Sequence, residues 1–359
     1  MRAAVLTTPG DAGLTIREDV VTAPLRPGFV RVRVRAAGVC HSDLSAISGR
    51  LGLPTPVVIG HESSGDVIEV ADDVTAFAAG DRVIVSWVPQ CGECANCRSG
   101  QPQLCTFNMS DAYRFPRFAI DGDPVWGQAG CGGFAEELLV SVHNLVALPD
   151  DVPYDIGALV GCGVSTGVGA VVNTADVRDG ESVAVIGCGG VGLSAIQAAR
   201  AAGARIVLAI DPVPAKRELA LELGATHASA PDGVSDAVEE LTGGVGFDKV
   251  IEAVGAAPTI RAAYDAIRRG GTAVIAGVGP KDAEVSFTPY ELYAGEKRLV
   301  GSVFGSTDIH RDFPRVIQMW RDGGLDLDRL ISGRIDLDAL PEAVAALRSG
   351  EALRSVVVF

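Results

Sequence analysis

Cysteine spacing is the first sign of chemistry in this chain. Cys91, Cys94, Cys97 and Cys105 form a C-x2-C-x2-C-x7-C run on a loop that also carries Gly92 and Asn96. Four thiolates so close together can close a tetrahedral shell around one zinc ion. A shell closed by four protein ligands has no open position, so such a metal would be structural. Two disulfides or an iron–sulfur cluster would use the same residues, and both stay open at this point. A second set of metal-ligand types is scattered, as catalytic ligands usually are. Cys40 lies just after a strand pattern, His61 follows Val57-Val58-Ile59, and Cys162 sits between Gly161 and Gly163. Two thiolates and one imidazole leave a fourth zinc position for water or substrate. Taken singly, Cys40 and Cys162 read equally well as small buried hydrophobes, and His61 as a satisfied core histidine. Cys131 and Cys188 are left as structural cysteines.

A phosphate-binding pattern follows. The apolar run Ser182-Val183-Ala184-Val185-Ile186 leads into Gly187-Cys188-Gly189-Gly190-Val191-Gly192 and then a helical stretch, 191–202. Strand, tight glycine turn and helix are the proper setting of the G-x-G-x-x-G dinucleotide fingerprint. Its glycines admit a pyrophosphate, and the helix start offers free N–H groups and positive dipole. Asp211 closes the next strand, Ile206-Val207-Leu208-Ala209-Ile210. An acidic residue there accepts from the adenosine ribose hydroxyls and repels a 2′-phosphate, which favours NAD over NADP.

These residues must be positioned by two kinds of architecture. Residues 1–163 read as mostly β: Val30-Arg31-Val32-Arg33-Val34-Arg35 alternates strictly, and short strands recur at 57–59, 66–70 and 82–85 between Gly and Pro punctuation. Residues 164–304 alternate strands near 183–186, 206–210, 248–253, 272–277 and 299–303 with helices such as 191–202 and 215–223, the signature of a doubly wound parallel sheet. A last segment, 305–359, holds two helices, 313–321 and 340–349, and a closing strand, 355–359, expected to return to the first domain. The fold class is α/β.

Composition narrows the function. A chain of 359 residues with 48% hydrophobic content can bury two cores. A net charge of −15 argues against nucleic acid or an anionic membrane as partner. The apolar run after Met1-Arg2 is too short for a signal peptide, and the uncharged stretch 182–199 is split by its glycines into strand and helix, so no membrane segment is expected. Cysteines in metal spacing point to a reduced, cytoplasmic setting.

The order Cys40-His41-Ser42-Asp43, Gly60-His61-Glu62, the four-cysteine loop, Gly161-Cys162-Gly163 and the glycine turn resembles the zinc-dependent medium-chain alcohol dehydrogenases. Gly130 to Glu136 and the terminal Leu353 to Phe359 match too, so the likeness runs over essentially the whole chain. The ligand spacing is similar to liver-type enzymes and to actinobacterial nicotinoprotein relatives. The resemblance implies a GroES-like, mostly-β catalytic domain interrupted by a Rossmann domain, with the active site in the cleft between. It implies two Zn2+ per chain, one structural on the lobe 91–105 and one catalytic on Cys40, His61 and Cys162. The implied reaction oxidises a primary or aromatic alcohol reversibly to the aldehyde, with NAD as hydride acceptor.

The same resemblance assigns roles. Ser42 stands at the proton-relay position, Asp43 accepts from the His61 N–H that does not face the metal, and Glu62 is a carboxylate beside the zinc. Gly187, Gly189, Gly190 and Gly192 admit the pyrophosphate, and Val191 backs the nicotinamide. Asp211 and Lys216 are ribose contacts, Arg354 a phosphate contact, Thr166 and Val278 nicotinamide-side contacts. Trp87 lines the substrate pocket and restricts its inner end. The chain departs from the liver-type pattern in carrying His41 where those enzymes have arginine and Ser45 where they have the outer relay histidine. His41 is accordingly expected at the pyrophosphate. The segment 106–133 is similar in length to that of dimeric members, which gives a homodimer, with a homotetramer as the alternative. Two other functions stay open: a nicotinoprotein with permanently bound NAD and an external electron acceptor, and a retired dehydrogenase acting as an NAD-binding sensor or structural protein.

Overall fold

Alternation in the first domain resolves into one long strand, Phe29–Gly38, in which the valines at 30, 32 and 34 are buried and Arg33 is exposed. Arg31 and Arg35 face outward onto Glu69 and Asp66 of the neighbouring strand, at 2.9 and 2.7 Å. The protein is described by a computed structural model over residues 1–107 and 112–359. Residues 108–111, within the segment read for assembly, lie outside the described residues.

The chain divides into two compact units. The first comprises Met1–Cys162, Asp308–Phe313 and Leu327–Phe359; the second comprises Gly163–Thr307 and Pro314–Asp326. In the first unit, Phe29–Gly38 pairs antiparallel with Glu62–Val70, Glu137–Ser141 and the closing strand Ser355–Val358. A second sheet runs from Leu14–Arg17 through Ala3–Leu6, Val57–Val58, Asp123–Gly127 and Phe118–Ile120 to Val20–Thr22. Val5, Val32, Ile59, Phe118, Phe134 and Leu138 share one buried core. The strand Glu62–Val70 begins earlier than its apolar pattern, at 66–70, suggests. Ser63 and Ser64 are polar yet buried, and the Ser64 hydroxyl donates to the Tyr154 carbonyl at 2.5 Å. Burial under the helix Tyr154–Leu159, not alternation, extends the strand.

The second unit is a parallel sheet in the order His227–Ser229, Ile206–Ile210, Ser182–Ile186, Phe247–Glu252, Ile267–Ile275, Arg298–Gly301. Every residue of Ser182–Ile186 and Ile206–Ile210 is buried, as strands covered on both faces must be. The first strand sits centrally, with the chain running outward on either side of it. That reversal creates a crevice at the carboxyl ends of the strands. The terminal segment 305–359 departs from its expected wholesale return: Pro314–Asp326 belongs to the second unit. The reason is local packing, because the Asp326 N–H donates to Gln197 Oε1 at 2.5 Å and Gly324 rests 3.8 Å from Ala201 Cβ.

Glycines around Cys162 do not make a turn. Tyr154 to Ala175 is one helical stretch, long and apolar enough by composition to span a membrane, and its most apolar 18-residue window is 94% buried. Burial to that extent marks it as a core helix of the protein.

Candidate active site

Asp43 organises the scattered ligand set. It lies on the helix His41–Ile47, which starts where the strand Phe29–Gly38 ends, and its side chain is fully buried. Its Oδ2 accepts the Cys40 backbone N–H at 2.8 Å, and its Oδ1 lies 2.9 Å from His61 Nδ1. The paired strands set Gly38 opposite Glu62, so Cys40 and His61 emerge from adjacent strand ends. Side-chain ligand atoms of Cys40, His61, Glu62 and Cys162 fall within 4.8 Å of one another, all four residues buried. With Nδ1 donating to Asp43, the imidazole presents its Nε2 lone pair. Burial opposes a charge on His61, and the Asp43 carboxylate more than offsets it, raising His61 well above its ordinary range.

The sulfurs behave as a pair. The Cys162 thiol donates to Cys40, pulling Cys40 well below the usual thiol range, and the same pairing with burial holds Cys162 well above it. Two buried sulfurs, an imidazole lone pair and a carboxylate converging on one point are a donor set that a divalent cation neutralises. The residues fit zinc. Glu62 is held from behind by Arg354: Nη1 bonds Oε2, both groups are buried, while Oε1 and Arg354 Nε have no hydrogen-bond partner. Burial pushes the Glu62 carboxyl up to about 7 against the pull of Arg354. Burial also works against the guanidinium charge, which Glu62 and the two thiols nonetheless raise above its ordinary value. Arg354, expected on a coenzyme phosphate, thus has Glu62 as its partner here, because two charges buried together must pair.

The cysteine lobe forms a second cluster, Cys91, Cys94, Cys97 and Cys105 within 4.8 Å. Sulfur–sulfur separations are 4.0 Å for Cys91–Cys97, 4.0 Å for Cys94–Cys105 and 3.5 Å for Cys91–Cys105. A tetrahedron with zinc–sulfur bonds of about 2.3 Å has edges of roughly 3.8 Å, so these thiols stand where four ligands of one ion would. All eight cysteines are free thiols, which disfavours the disulfide alternative. The Cys97 N–H donated to Cys94 Sγ draws that thiol down to about 5, while burial pushes Cys97 up to about 12.

In the second unit the glycine turn joins Ser182–Ile186 to the helix Gly190–Ala201. A Cβ on Gly192 would collide with the Gly187 carbonyl, so the turn closes only with glycine there. Gly189 caps the helix with no side-chain acceptor, leaving its first N–H groups for an anion. Asp211 is buried, its Oδ2 accepting from Cys188 N at 2.8 Å and Oδ1 from Val213 N at 2.9 Å. It therefore ties the glycine turn to the end of the next strand. Val191 and Lys216 are half-buried, Thr166 is buried, and Val278 is 74% exposed. In the first unit His41 is exposed, Ser42 half-buried, and Trp87 half-buried against the core.

Three site features have no sequence signal. Gln128 is buried with Oε1 accepting from Gly60 N at 2.9 Å and Nε2 3.2 Å from His61 Nδ1. Arg217 donates to the Asp211 carbonyl at 2.6 Å. The third is the bond from Cys40 N–H to Asp43, which a motif cannot announce.

Two family models match, an alcohol dehydrogenase GroES-like domain over residues 26–150 and a zinc-binding dehydrogenase domain over 190–321. A Mycobacterium tuberculosis protein carrying the name alcohol dehydrogenase D is 39% identical over 92% of this chain and 93% of its own. An Escherichia coli S-(hydroxymethyl)glutathione dehydrogenase is 35% identical over 99% of both. The crystal structure of benzyl alcohol dehydrogenase from Acinetobacter calcoaceticus superposes with a TM-score of 0.91 at 28% identity, covering 100% of this chain and 99% of that one. The chain belongs to the zinc-dependent medium-chain alcohol dehydrogenase family, and it is an oxidoreductase of that family with cysteine-rich sites suited to zinc.

Metal analysis of variants tests the two clusters separately. Zinc measured by plasma emission should fall by one per chain in Cys162→Ala with little loss of thermal stability. Cys97→Ala should lose the other zinc together with stability, because a structural zinc contributes folding free energy. Loss of the same metal in both variants contradicts the two-site assignment.

Arg354→Ala should destabilise by about 3–5 kcal/mol in urea at pH 9, since it strands a buried carboxylate. The deficit should shrink at pH 6, where Glu62, raised to about 7, already carries a proton in the folded wild type and has less need of Arg354. An equal deficit at both pH values contradicts the pairing.

Proposed function

We propose that the protein is an NAD-dependent dehydrogenase that interconverts a primary or aromatic alcohol and its aldehyde. The observation carrying this reading is the Asp43 carboxylate, which fixes both Cys40 and the Nδ1 side of His61 so that Nε2 and the Cys40 sulfur converge beside Cys162. Zinc, when bound there, supplies Lewis acidity that lowers the pKa of an alcohol hydroxyl, and NAD supplies the hydride acceptor. The remaining work falls to side chains. Cys40, His61 and Cys162 hold the metal and leave one position open. Ser42, half-buried, takes the hydroxyl proton. Glu62, anchored by Arg354, stands as a carboxylate beside the ligands. Trp87 narrows the inner end of the pocket, which suits a flat or short alcohol.

On the coenzyme side, the open N–H groups at Gly190 receive the pyrophosphate and Asp211 the adenosine ribose, with Lys216 next to it. His41, the exposed first residue of its helix, is kept as a pyrophosphate contact. The benzyl alcohol dehydrogenase likeness supports an aromatic substrate. Assembly is read as a homodimer, supported by the sheet edge Arg298–Gly301, where Leu299 is 38% exposed, and by the nearby exposed Tyr290 and Tyr293.

The test is a panel of aromatic, aliphatic and terpenoid alcohols and S-hydroxymethylglutathione, assayed with NAD, with NADP and with an artificial acceptor. Aromatic or primary alcohols should reduce added NAD, with kcat/KM for NADP lower by about tenfold or more. Asp211→Gly should reverse that preference by weakening NAD and improving NADP. Turnover with the artificial acceptor alone, by protein carrying stoichiometric NAD, would replace the reading with the nicotinoprotein one. A wild-type preference for NADP contradicts the role of Asp211.

A further inference from the structure

Glu252 is a fully buried carboxylate that none of the assigned roles uses. It ends the strand Phe247–Glu252, paired with Ile186 on one side and Ile275 on the other, at the carboxyl edge of the parallel sheet. One oxygen does nearly everything. Oε1 accepts from Val254 N at 3.0 Å, Gly255 N at 2.8 Å and the Thr259 hydroxyl at 2.7 Å, while Oε2 has no hydrogen-bond partner among the described residues. The residue's own carbonyl accepts from Ala276 N at 2.8 Å and Gly277 N at 3.0 Å. Glu252 therefore holds two turns at once, 253–256 by its side chain and 276–279 by its backbone.

The two turns press together backbone to backbone. A Cβ on Gly277 would collide with Gly255 N, and one on Gly255 with the Val278 backbone. The first turn also abuts the glycine loop, since a Cβ on Gly187 would sit 2.7 Å from Val254 Cγ2. Both turns leave an aliphatic side chain in the open, Val254 at 47% and Val278 at 74% exposure. Sheet order then says which half of a dinucleotide they meet. Asp211, the adenosine-ribose acceptor, ends the strand on one side of Ser182–Ile186, and the pyrophosphate belongs at the central turn. The turns after Phe247–Glu252 and Ile267–Ile275 lie on the opposite side, where the second nucleoside must go.

We infer that Glu252 is the positioning residue for the nicotinamide half of the crevice, locking the turns 253–256 and 276–279 in the shape that half requires. The inference rests on the coenzyme reading above. A charged acceptor serves this purpose because three donors on one oxygen are held more firmly by a carboxylate than by a neutral group.

The test compares ligands that reach both halves with one that reaches only the first. Dissociation constants for NAD and for AMP are measured by calorimetry on wild type, Glu252→Ala, Glu252→Gln and Thr259→Val. Hydrogen exchange at Val254, Gly255, Ala276 and Gly277 is followed in the ligand-free proteins. Glu252→Ala should weaken NAD about tenfold, the scale of a lost charge-assisted hydrogen bond, and leave AMP within about twofold. Exchange at Val254 and Gly255 should speed up in the same variant. Glu252→Gln, which keeps an acceptor at Oε1, should recover most of the NAD affinity. Thr259→Val should move NAD affinity in the direction of Glu252→Ala by a smaller factor, and these last two variants carry the test if Glu252→Ala does not fold. NAD and AMP weakening alike, or neither changing, overturns the inference. A wild type that binds neither ligand overturns the coenzyme reading itself.

Discussion

One carboxylate carries the metal site. Asp43 is inaccessible to solvent, and its two oxygens are shared between the Cys40 backbone and the His61 ring. A buried anion with such partners has little freedom: moving it would leave a donor unpaired on either side at about 1–3 kcal/mol each. Because Cys40 and His61 end adjacent strands, this clamp converts sheet register into ligand geometry. Cys162 then needs only its place on the buried helix to complete the set. Glu62 and Arg354 extend the arrangement, coupling the ligand cluster to the residue just before the closing strand Ser355–Val358.

The coenzyme half follows the same logic with a different sheet. Parallel strands end together, so the turns after Ser182–Ile186, Ile206–Ile210, Phe247–Glu252 and Ile267–Ile275 all gather at one edge. Acidic side chains tie those turns to one another. Asp211 joins the glycine turn to the end of the neighbouring strand, and Glu252 joins the two turns opposite. Preorganisation of this kind lowers the ordering cost a ligand must meet on binding. It also explains glycines outside the fingerprint: Gly255 and Gly277 allow backbones to touch.

Much of this was legible from residue order. The bounds of Ser182–Ile186 and Ile206–Ile210 follow from their apolar runs, and the valine and arginine alternation marks the core face of Phe29–Gly38. Spacing alone marked the four-cysteine lobe, because metal sites restrict residue type more tightly than packing does, whereas the scattered Cys40, His61 and Cys162 were grouped by the family resemblance. Other features left no local trace. Gln128 reaches His61 from a distant loop, and glutamine beside glycine and alanine resembles any polar turn. The helix that carries Cys162 left no helical pattern among its glycines, whose small size lets it be covered closely: a Cβ on Gly161 would come within 3.0 Å of the Val85 carbonyl. Glu252 looked like the polar end of a strand, and its role depends on turns that only the sheet order brings together. In each case the missing information is tertiary.

The account stands on two distinct metal-binding clusters in one chain, the second of them built on Asp43. Zinc K-edge X-ray absorption on the purified holoprotein tests this directly. Six thiolates and one imidazole shared between two ions predict an average of about three sulfurs per zinc near 2.3 Å, with a nitrogen or oxygen shell near 2.0–2.1 Å. An average of four sulfurs with no lighter shell would mean that only the cysteine lobe binds metal, and would contradict the claim that Cys40, His61 and Cys162 form a site.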